Sequence, residues 1–203
     1  MKTLPILTLL LAATAAPALA SAETITLYDG SEKIGFKYLD FSAKGVVTDN
    51  KDSFTIEATE DSDGGMGLFG IAGTNLSSPK TFPAEGNRLR VEYRFLDDNE
   101  AAMFKVSLND KDEDGAGEQY KFDVEPDMDD ATETSDGFME ILLPLGEDDA
   151  SSRNKGSDAG FSEDGDGIAN YDLTQWSIQS PYGQMAPLMV EIRAIEIVGV
   201  PEP

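Results

Sequence analysis

Two acidic segments of this chain place carboxylates at alternate positions of a short loop that contains glycine. The first carries Asp110, Asp112 and Asp114, followed by Gly115 and then by Glu118. Alternate residues of a tight loop can aim their oxygen atoms at one centre, and glycine permits the sharp turn that this requires. Because calcium prefers oxygen ligands in flexible geometry, this spacing predicts a calcium site.

The second acidic segment reads SEDGDGIANYD and runs from position 162 to position 172. Its candidate calcium ligands are Asp164, Asp166, Asn170 and Asp172. For both segments the alternative is a solvated turn, since aspartate and glycine are also typical of turns that bind no ion.

Both segments resemble known calcium loops. The first resembles the loop of EF-hands and dockerins, with acids at positions one, three and five and glycine at position six. The second resembles the DxDGDGI loops of thrombospondin type 3 repeats and dockerins. Both depart from the pattern at position twelve, where Lys121 and Leu173 stand. No helix is expected beside either segment, so an ion would be held by a loop between strands.

Aromatic and amide side chains form a second candidate site shortly after the second acidic segment. Trp176 and Tyr182 lie in the segment TQWSIQSPYG, together with Gln175 and Gln179. Flat aromatic faces stack on sugar rings, and neighbouring amides can fix the sugar hydroxyls. These four residues are therefore predicted to bind a ligand. The alternative is that Trp176 belongs to the core, because large aromatic residues are mostly buried.

The residue types that are missing exclude several kinds of chemistry. The chain has no histidine and no cysteine, which removes Ser-His-Asp and Cys-His catalysis and zinc sites of the usual nitrogen and sulfur type. Pairs of carboxylates can hydrolyse glycosides, but among 39 acidic residues any two can be paired. The sequence therefore favours a protein that is not an enzyme.

Strands must position these candidate sites. Apolar residues alternate with polar ones in three runs between Arg88 and Val124, which is typical of strands with one buried face. The connections between the runs are short and acidic, so we expect an antiparallel meander. The apolar positions are Leu89, Val91, Tyr93 and Phe95, then Ala102, Phe104, Val106 and Leu108, then Tyr120, Phe122 and Val124.

Further strands are predicted on both sides of this region. They include residues 53–59, 66–72, 138–145 and 188–198, the last with a bulge near Ala194 where the alternation shifts. Residues 75–87 are rich in serine, proline and glycine and are predicted to be a loop. No amphipathic helix is evident. The sequence therefore predicts an all-β fold, a two-sheet antiparallel β-sandwich of the jelly-roll type.

The first 22 residues have the features of a secretory signal peptide: Lys2, an apolar run and small residues at the cleavage site. Residues 23–203 would then form a single domain in an extracellular, periplasmic or cell-surface location. The formal net charge of −24 repels nucleic acids and anionic lipid heads. Neither nucleic acid binding nor membrane insertion after removal of the signal is therefore expected.

The strand layout from Glu23 to Val200, with its closing strand MVEIRAIEIVG, resembles the secreted jelly-roll modules of the galactose-binding-like and carbohydrate-binding type. The last four residues, VPEP, resemble the start of a PEP-CTERM sorting signal. The resemblance implies a non-catalytic module whose partner is a polysaccharide or another extracellular or cell-surface polymer. The two acidic segments would add calcium as a stabilising ion. Two alternatives remain: an acidic structural or matrix protein without glycan binding, and a polysaccharide-active enzyme.

Overall fold

The computed structural model describes residues 24–31, 33–40, 44–59, 69–83, 87–111, 117–145, 170–180 and 186–199. Within these ranges the chain forms strands and one short 3₁₀ turn, Ser135–Gly137, but no α-helix. None of the described segments is a helix of the length and apolarity needed to cross a membrane. The all-β prediction is confirmed.

Twelve strands are found in the described ranges, and they form two antiparallel sheets. In chain order they are β1 (Thr24–Tyr28), β2 (Phe36–Asp40), β3 (Lys44–Asp49), β4 (Phe54–Thr59), β5 (Phe69–Pro83), β6 (Asn87–Phe95), β7 (Phe104–Lys111), β8 (Gly117–Val124), β9 (Thr132–Glu133), β10 (Met139–Pro144), β11 (Asn170–Gln179) and β12 (Leu188–Gly199).

The seven-stranded sheet has the order β3, β4, β12, β6, β10 and β9, and β1 pairs with β12 beside β4. The five-stranded sheet has the order β2, β5, β11, β7 and β8. The core between them contains the apolar residues of the alternating runs, including Leu89, Val91, Val106 and Leu108, which are all fully buried. Since each such side chain contributes about 1.5–3 kcal/mol on burial, this alternation specifies which face of each strand turns inward.

The predicted meander between Arg88 and Val124 is wrong in its first connection. β7 and β8 pair as a hairpin, but β6 belongs to the other sheet, where it lies between β12 and β10. The segment between β6 and β7 crosses from one layer of the sandwich to the other. Alternation shows which face of a strand is buried. It does not show whether the next strand pairs with that strand or lies in the opposite sheet, because the pattern is the same in both cases.

The predicted loop at residues 75–87 is also wrong over most of its length. β5 continues to Pro83, and Thr81 and Phe82 pair with Asp172 and Tyr171 of β11. Its exposed serines and prolines lie on the part of β5 that extends beyond β2, where the missing N–H of proline is tolerated. The predicted bulge in the closing strand is confirmed between Ile192 and Ala194.

Gly30 follows β1 and approaches the backbone of a distant turn. Its φ is +81°, and a Cβ at this position would lie 2.4 Å from the carbonyl carbon and oxygen of Asp52. We expect Gly30→Ala to lower the free energy of unfolding by at least about 2 kcal/mol, because the left-handed backbone and the collision both oppose alanine.

Gly137 is the matched control for this glycine. It has a similar φ of +75° but open space around its Cβ position, so Gly137→Ala should cost only about 1 kcal/mol. Urea unfolding of the two variants measures the difference. Equal losses would show that the contact with Asp52 does not constrain the turn.

Candidate functional site

The outer face of the five-stranded sheet is lined by polar side chains with few charges. On β11, Ser177 and Gln179 alternate with Trp176 and Ile178, which are in the core. On β7, Ser107 lies between the core residues Val106 and Leu108. Successive side chains of a strand point to opposite faces, so Ser107, Ser177 and Gln179 belong to the face that turns away from the core.

A bulge in β11 positions Gln175 on this face. Register shifts occur between Leu173 and Gln175 in the pairing with both β5 and β7. The extra residue, Thr174, donates a hydrogen bond from Oγ1 to the carbonyl oxygen of Asn109 at 3.1 Å. Leu173 and Trp176 can therefore both enter the core although they are three residues apart. Bulges often redirect a side chain next to a functional site.

Three amides form a row across the central strands, which we call the amide row: Asn75, Gln175 and Asn109. Gln175 pairs directly with Asn75 on β5 and with Asn109 on β7. Asn109 donates from Nδ2 to Oε1 of Gln175, and Gln175 donates from Nε2 to Oδ1 of Asn75 at 2.8 Å. Each amide is held by its neighbour, so the row presents polar groups in fixed orientations.

Small residues lie beside the amide row, each two positions from the amide of the same strand. Gly73, Ser177 and Ser107 pair directly with one another across β5, β11 and β7, and we call them the serine row. Ser107 and Ser177 are only 0% and 4% exposed, so both side chains are shielded from solvent. The Ser107 hydroxyl has no hydrogen-bond partner among the residues that the structure describes. A buried hydroxyl without a partner is costly, and it lies at the floor of this face.

An ion pair borders the serine row on the side opposite the amide row. Lys105 Nζ lies 2.5 Å from Asp123 Oδ1, and both side chains are about a quarter exposed. Gln179 pairs with Lys105 in the register of β11 and β7. The charges of Lys105 and Asp123 compensate each other, and Lys121 of β8, which pairs with Ser107, is a further charged residue on this face.

The outer face of the seven-stranded sheet is very different because it is occupied by an ionic network. Arg90 contacts Glu140 at 2.7 Å, Glu196 at 2.6 Å and Glu92 at 3.6 Å. Arg193 contacts Glu92 at 3.0 Å and lies with its guanidinium 3.6 Å from the ring centre of Phe138. These groups satisfy one another, which leaves this face little capacity to bind a polar ligand.

Glu191 shows how strongly this network holds its acids. Burial opposes ionisation of this carboxyl, but hydrogen bonds from Ser53 and Arg94, at 2.5 Å each, outweigh burial and lower the pKa of Glu191 below its usual value. A carboxyl with a lowered pKa stabilises the fold at neutral pH, and this contribution is lost as the pH falls through the folded pKa.

The prediction that Trp176 binds a ligand is wrong, and the core alternative is correct. Trp176 is fully buried. Its ring centre lies 5.7 Å from that of Tyr28 and 6.1 Å from that of Phe54. A side chain enclosed between the sheets cannot stack on a sugar from the medium.

The neighbouring Tyr28 is also in the core. Burial raises the pKa of its hydroxyl to about 12, with smaller contributions from nearby carboxylates.

The other residues of the predicted aromatic and amide site have separate locations. Gln175 is a member of the amide row, and Gln179 is on the same outer face but is only 4% exposed. Tyr182 lies outside the described residues. Gln175 therefore remains the best placed of these predicted ligand-binding residues.

Half of the eight predicted calcium ligands lie outside the described residues: Asp112, Asp114, Asp164 and Asp166. The register nevertheless brings the ends of both acidic segments together. Asp110 pairs with Glu118 on β8 and with Leu173 on β11, next to Asp172. Asn170 begins β11 opposite Pro83, and Asp172 accepts a hydrogen bond from Thr81. No group of acids that could hold a metal is found among the described residues, so calcium binding stays a prediction.

Five members of the two rows were not predicted from the sequence: Gly73, Asn75, Ser107, Asn109 and Ser177. Asn75 lies in the segment that was predicted to be a loop. Ser107 and Asn109 occupy the polar positions of a correctly predicted strand. The available signal was their lack of charge, since the polar positions of β6 are occupied by Arg88, Arg90, Glu92 and Arg94 instead.

Comparison with known proteins gives matches of structure only: neither a known family nor a curated protein matches the sequence. A family 11 carbohydrate-binding module from Clostridium thermocellum, in complex with a β-1,3-1,4-mixed-linked tetrasaccharide, is 14% identical over 91% of this chain and 99% of its own, with a TM-score of 0.60. A family 30 carbohydrate-binding module is 13% identical over 89% of this chain and 90% of its own, with a TM-score of 0.51.

An agarase also matches, at 11% identity and a TM-score of 0.51, over 88% of this chain but only 25% of its own. At such low identities the likeness concerns the fold. The chain therefore shares the two-sheet β-sandwich of carbohydrate-binding modules, and its structural neighbours also include part of an enzyme.

Proposed function

We propose that this chain is a non-catalytic carbohydrate-binding β-sandwich, and that a polysaccharide chain binds across the outer face of its five-stranded sheet. The observation that carries the proposal is the amide row beside the serine row. Sugars expose many hydroxyls, each a donor and an acceptor, and fixed amides can pair with both. Gly73, Ser177 and Ser107 lie beside the amides on the same three strands, so polar groups of the two rows are adjacent.

Charge also favours this face over the opposite one. Four carboxylates of the seven-stranded sheet, those of Glu92, Glu140, Glu191 and Glu196, are already paired with arginines, so a sugar that bound there would have to displace strong charge-assisted hydrogen bonds. On the five-stranded sheet the amides are polar without being ionised, which lowers the cost of removing water when a ligand binds. Solved neighbours of the same fold are carbohydrate-binding modules, which supports this choice of ligand class.

Affinity gel electrophoresis of the full chain tests the proposal with β-1,3-1,4-mixed-linked glucan, β-1,3-glucan and agarose. At least one polymer should retard the wild type. A Gln175→Met, Asn109→Ala variant should bind that polymer at least about tenfold more weakly, the effect of losing roughly one net hydrogen bond or more. Its melting temperature should change little.

Leu142→Ala is the matched control, because Leu142 is 45% exposed on the outer face of the seven-stranded sheet. It should bind like the wild type. If no polymer retards the wild type, the alternative of an acidic structural protein gains support. Release of reducing sugar from any of the three polymers would instead favour the enzyme alternative.

We further infer that residues 1–22 direct the chain to secretion and are then removed. The support is the sequence pattern alone, since these residues lie outside the described part of the chain. Determining the N-terminus of protein recovered from the medium or periplasm tests it, and an N-terminus that retains Lys2 would contradict it. The terminal VPEP likewise remains a prediction of a sorting signal.

We also propose that calcium stabilises the end of the five-stranded sheet where the acidic segments meet. The support is the ligand spacing in the sequence together with the backbone register that joins Asp110, Glu118 and Leu173. Calcium at 100 times its dissociation constant should raise the free energy of unfolding by about 2.7 kcal/mol. Thermal melts with calcium and with chelator measure this effect, and an Asp110→Asn variant should respond less. Identical melts in both conditions would contradict the proposal.

A further inference from the structure

We propose that Gln175 determines specificity and that the amide row recognises a vicinal diol, a pair of hydroxyls on adjacent sugar carbons. This inference rests on the proposed function and specifies which glycans the face accepts. It follows from the hydrogen-bonding capacity that the row leaves unused, from the way in which Gln175 is held, and from the chemistry of glycosidic linkages.

Gln175 retains one donor and one acceptor for a ligand. A primary amide has two N–H groups and an oxygen with two lone pairs. One N–H is used by Asn75 and one lone pair by Asn109. Among the described residues no other group pairs with the Gln175 amide. The remaining N–H and lone pair belong to one planar group, so they can engage two neighbouring hydroxyls at once, one as acceptor and one as donor.

The position of Gln175 is fixed before any ligand arrives. The Thr174 bulge turns its side chain to the outer face, and hydrogen bonds from both sides hold its amide. A free glutamine would lose rotamer entropy on binding, and a fixed one has already lost it. The partnerless hydroxyl of Ser107 lies in the adjoining row. An amide held on both sides thus lies on β11, the middle strand of the sheet.

The linkage of a polysaccharide decides whether it offers such a diol. A 1,4-linked glucose unit keeps free hydroxyls on carbons 2 and 3, which are adjacent. A 1,3-linked unit has its third oxygen in the linkage, so its free hydroxyls on carbons 2 and 4 are not adjacent. Agarose lacks the pair as well, because its linkages and its anhydro bridge occupy the relevant oxygens. The amide row should therefore select polymers that contain 1,4-linked units with free 2,3-diols.

Titration calorimetry of the full chain tests this with one polymer in two forms. Periodate cleaves the bond between the carbons of a vicinal diol, so it opens only the 1,4-linked units of β-1,3-1,4-mixed-linked glucan, and borohydride then reduces the aldehydes to alcohols. Native glucan should bind at least about tenfold more tightly than the treated glucan, β-1,3-glucan or agarose. In Gln175→Met the preference for native glucan should fall to near unity, whereas Leu142→Ala should keep it.

The outcomes separate this inference from the proposed function. Tight binding of agarose or β-1,3-glucan would support a carbohydrate-binding face and overturn the diol inference. A preference that survives in Gln175→Met would also overturn it. Absence of binding to every polymer would overturn the proposed function, and this inference with it. Melting temperatures of both variants, measured in parallel, show whether a lost preference reflects a lost fold.

Discussion

Replacement of Trp176 by alanine should lower the free energy of unfolding by about 4 kcal/mol, a large part of the 5–15 kcal/mol that is typical of a folded domain. The side chain is fully buried and packs against Tyr28 and Phe54, which come from the opposite sheet. Its loss leaves a cavity between the layers that these rings cannot fill by small movements, because protein interiors are densely packed.

Urea unfolding monitored by circular dichroism measures this loss. The matched control is Gln175→Met, one residue away on the opposite face, which should cost less than about 1 kcal/mol. In the wild type, fluorescence gives an independent check, since Trp176 is the only tryptophan in the chain. Its emission should be that of an indole shielded from water and should shift to longer wavelength on unfolding. A Trp176→Ala variant as stable as the wild type would contradict the core placement.

The bulge at Thr174 explains why the sequence alone does not distinguish the inward Trp176 from the outward Gln175 within the predicted aromatic and amide site. Relative to β7, the outward orientation of Gln175 and the inward one of Trp176 depend on the single extra residue Thr174, whereas in the pairing with β5 the extra residues, 76–79, are on β5. Sequence periodicity predicts strands because burial repeats every second residue. It does not predict a bulge in a segment as short as TQWSIQS, where one extra residue reverses every later side chain.

The strands with the longest alternation were predicted best. β6 and β12 have apolar residues on one face over most of their length, and their core residues are as expected. Pairing partners were harder to predict, as the separation of β6 from β7 shows. The candidate site depends on pairing, because Asn75, Gln175 and Asn109 come from three strands and meet only through the register of the five-stranded sheet.

The polar residues on the two outer faces of the sandwich are of different types. Four of the five arginines of the chain lie on the seven-stranded sheet, namely Arg88, Arg90, Arg94 and Arg193, and all of these but Arg88 form ion pairs with glutamates. Fixed ion pairs stabilise that face while leaving few groups available for a ligand. The other face has the amide row and the serine row on its three adjacent strands β5, β11 and β7, with charged residues such as Lys105 and Asp123 beside them. A binding role for one sheet thus agrees with a stabilising role for the other, and the stabilising role can be tested separately.

Replacement of Arg90 by methionine should lower the free energy of unfolding by about 3 kcal/mol. Arg90 lies among Glu140, Glu196 and Glu92, and its side chain is only 25% exposed. Hydrogen bonds with Glu140 and Glu196 outweigh burial and raise the pKa of Arg90 above its usual value. Without the guanidinium three carboxylates remain close together, and Glu92 and Glu140 are directly opposite on neighbouring strands. Like charges in that arrangement repel one another.

Two further variants and a salt series identify the cause of this loss. Arg90→Lys keeps the charge but not the planar fork, so its stability should be intermediate. Adding Glu140→Met to Arg90→Met should restore part of the loss, because removing both members of a buried ion pair costs less than removing one. Added salt should also reduce the deficit of Arg90→Met, since it screens repulsion between the remaining acids. If the two substitutions were simply additive and salt had no effect, Arg90 would act through packing of its aliphatic stem, and the ionic network would not be the source of stability on this face.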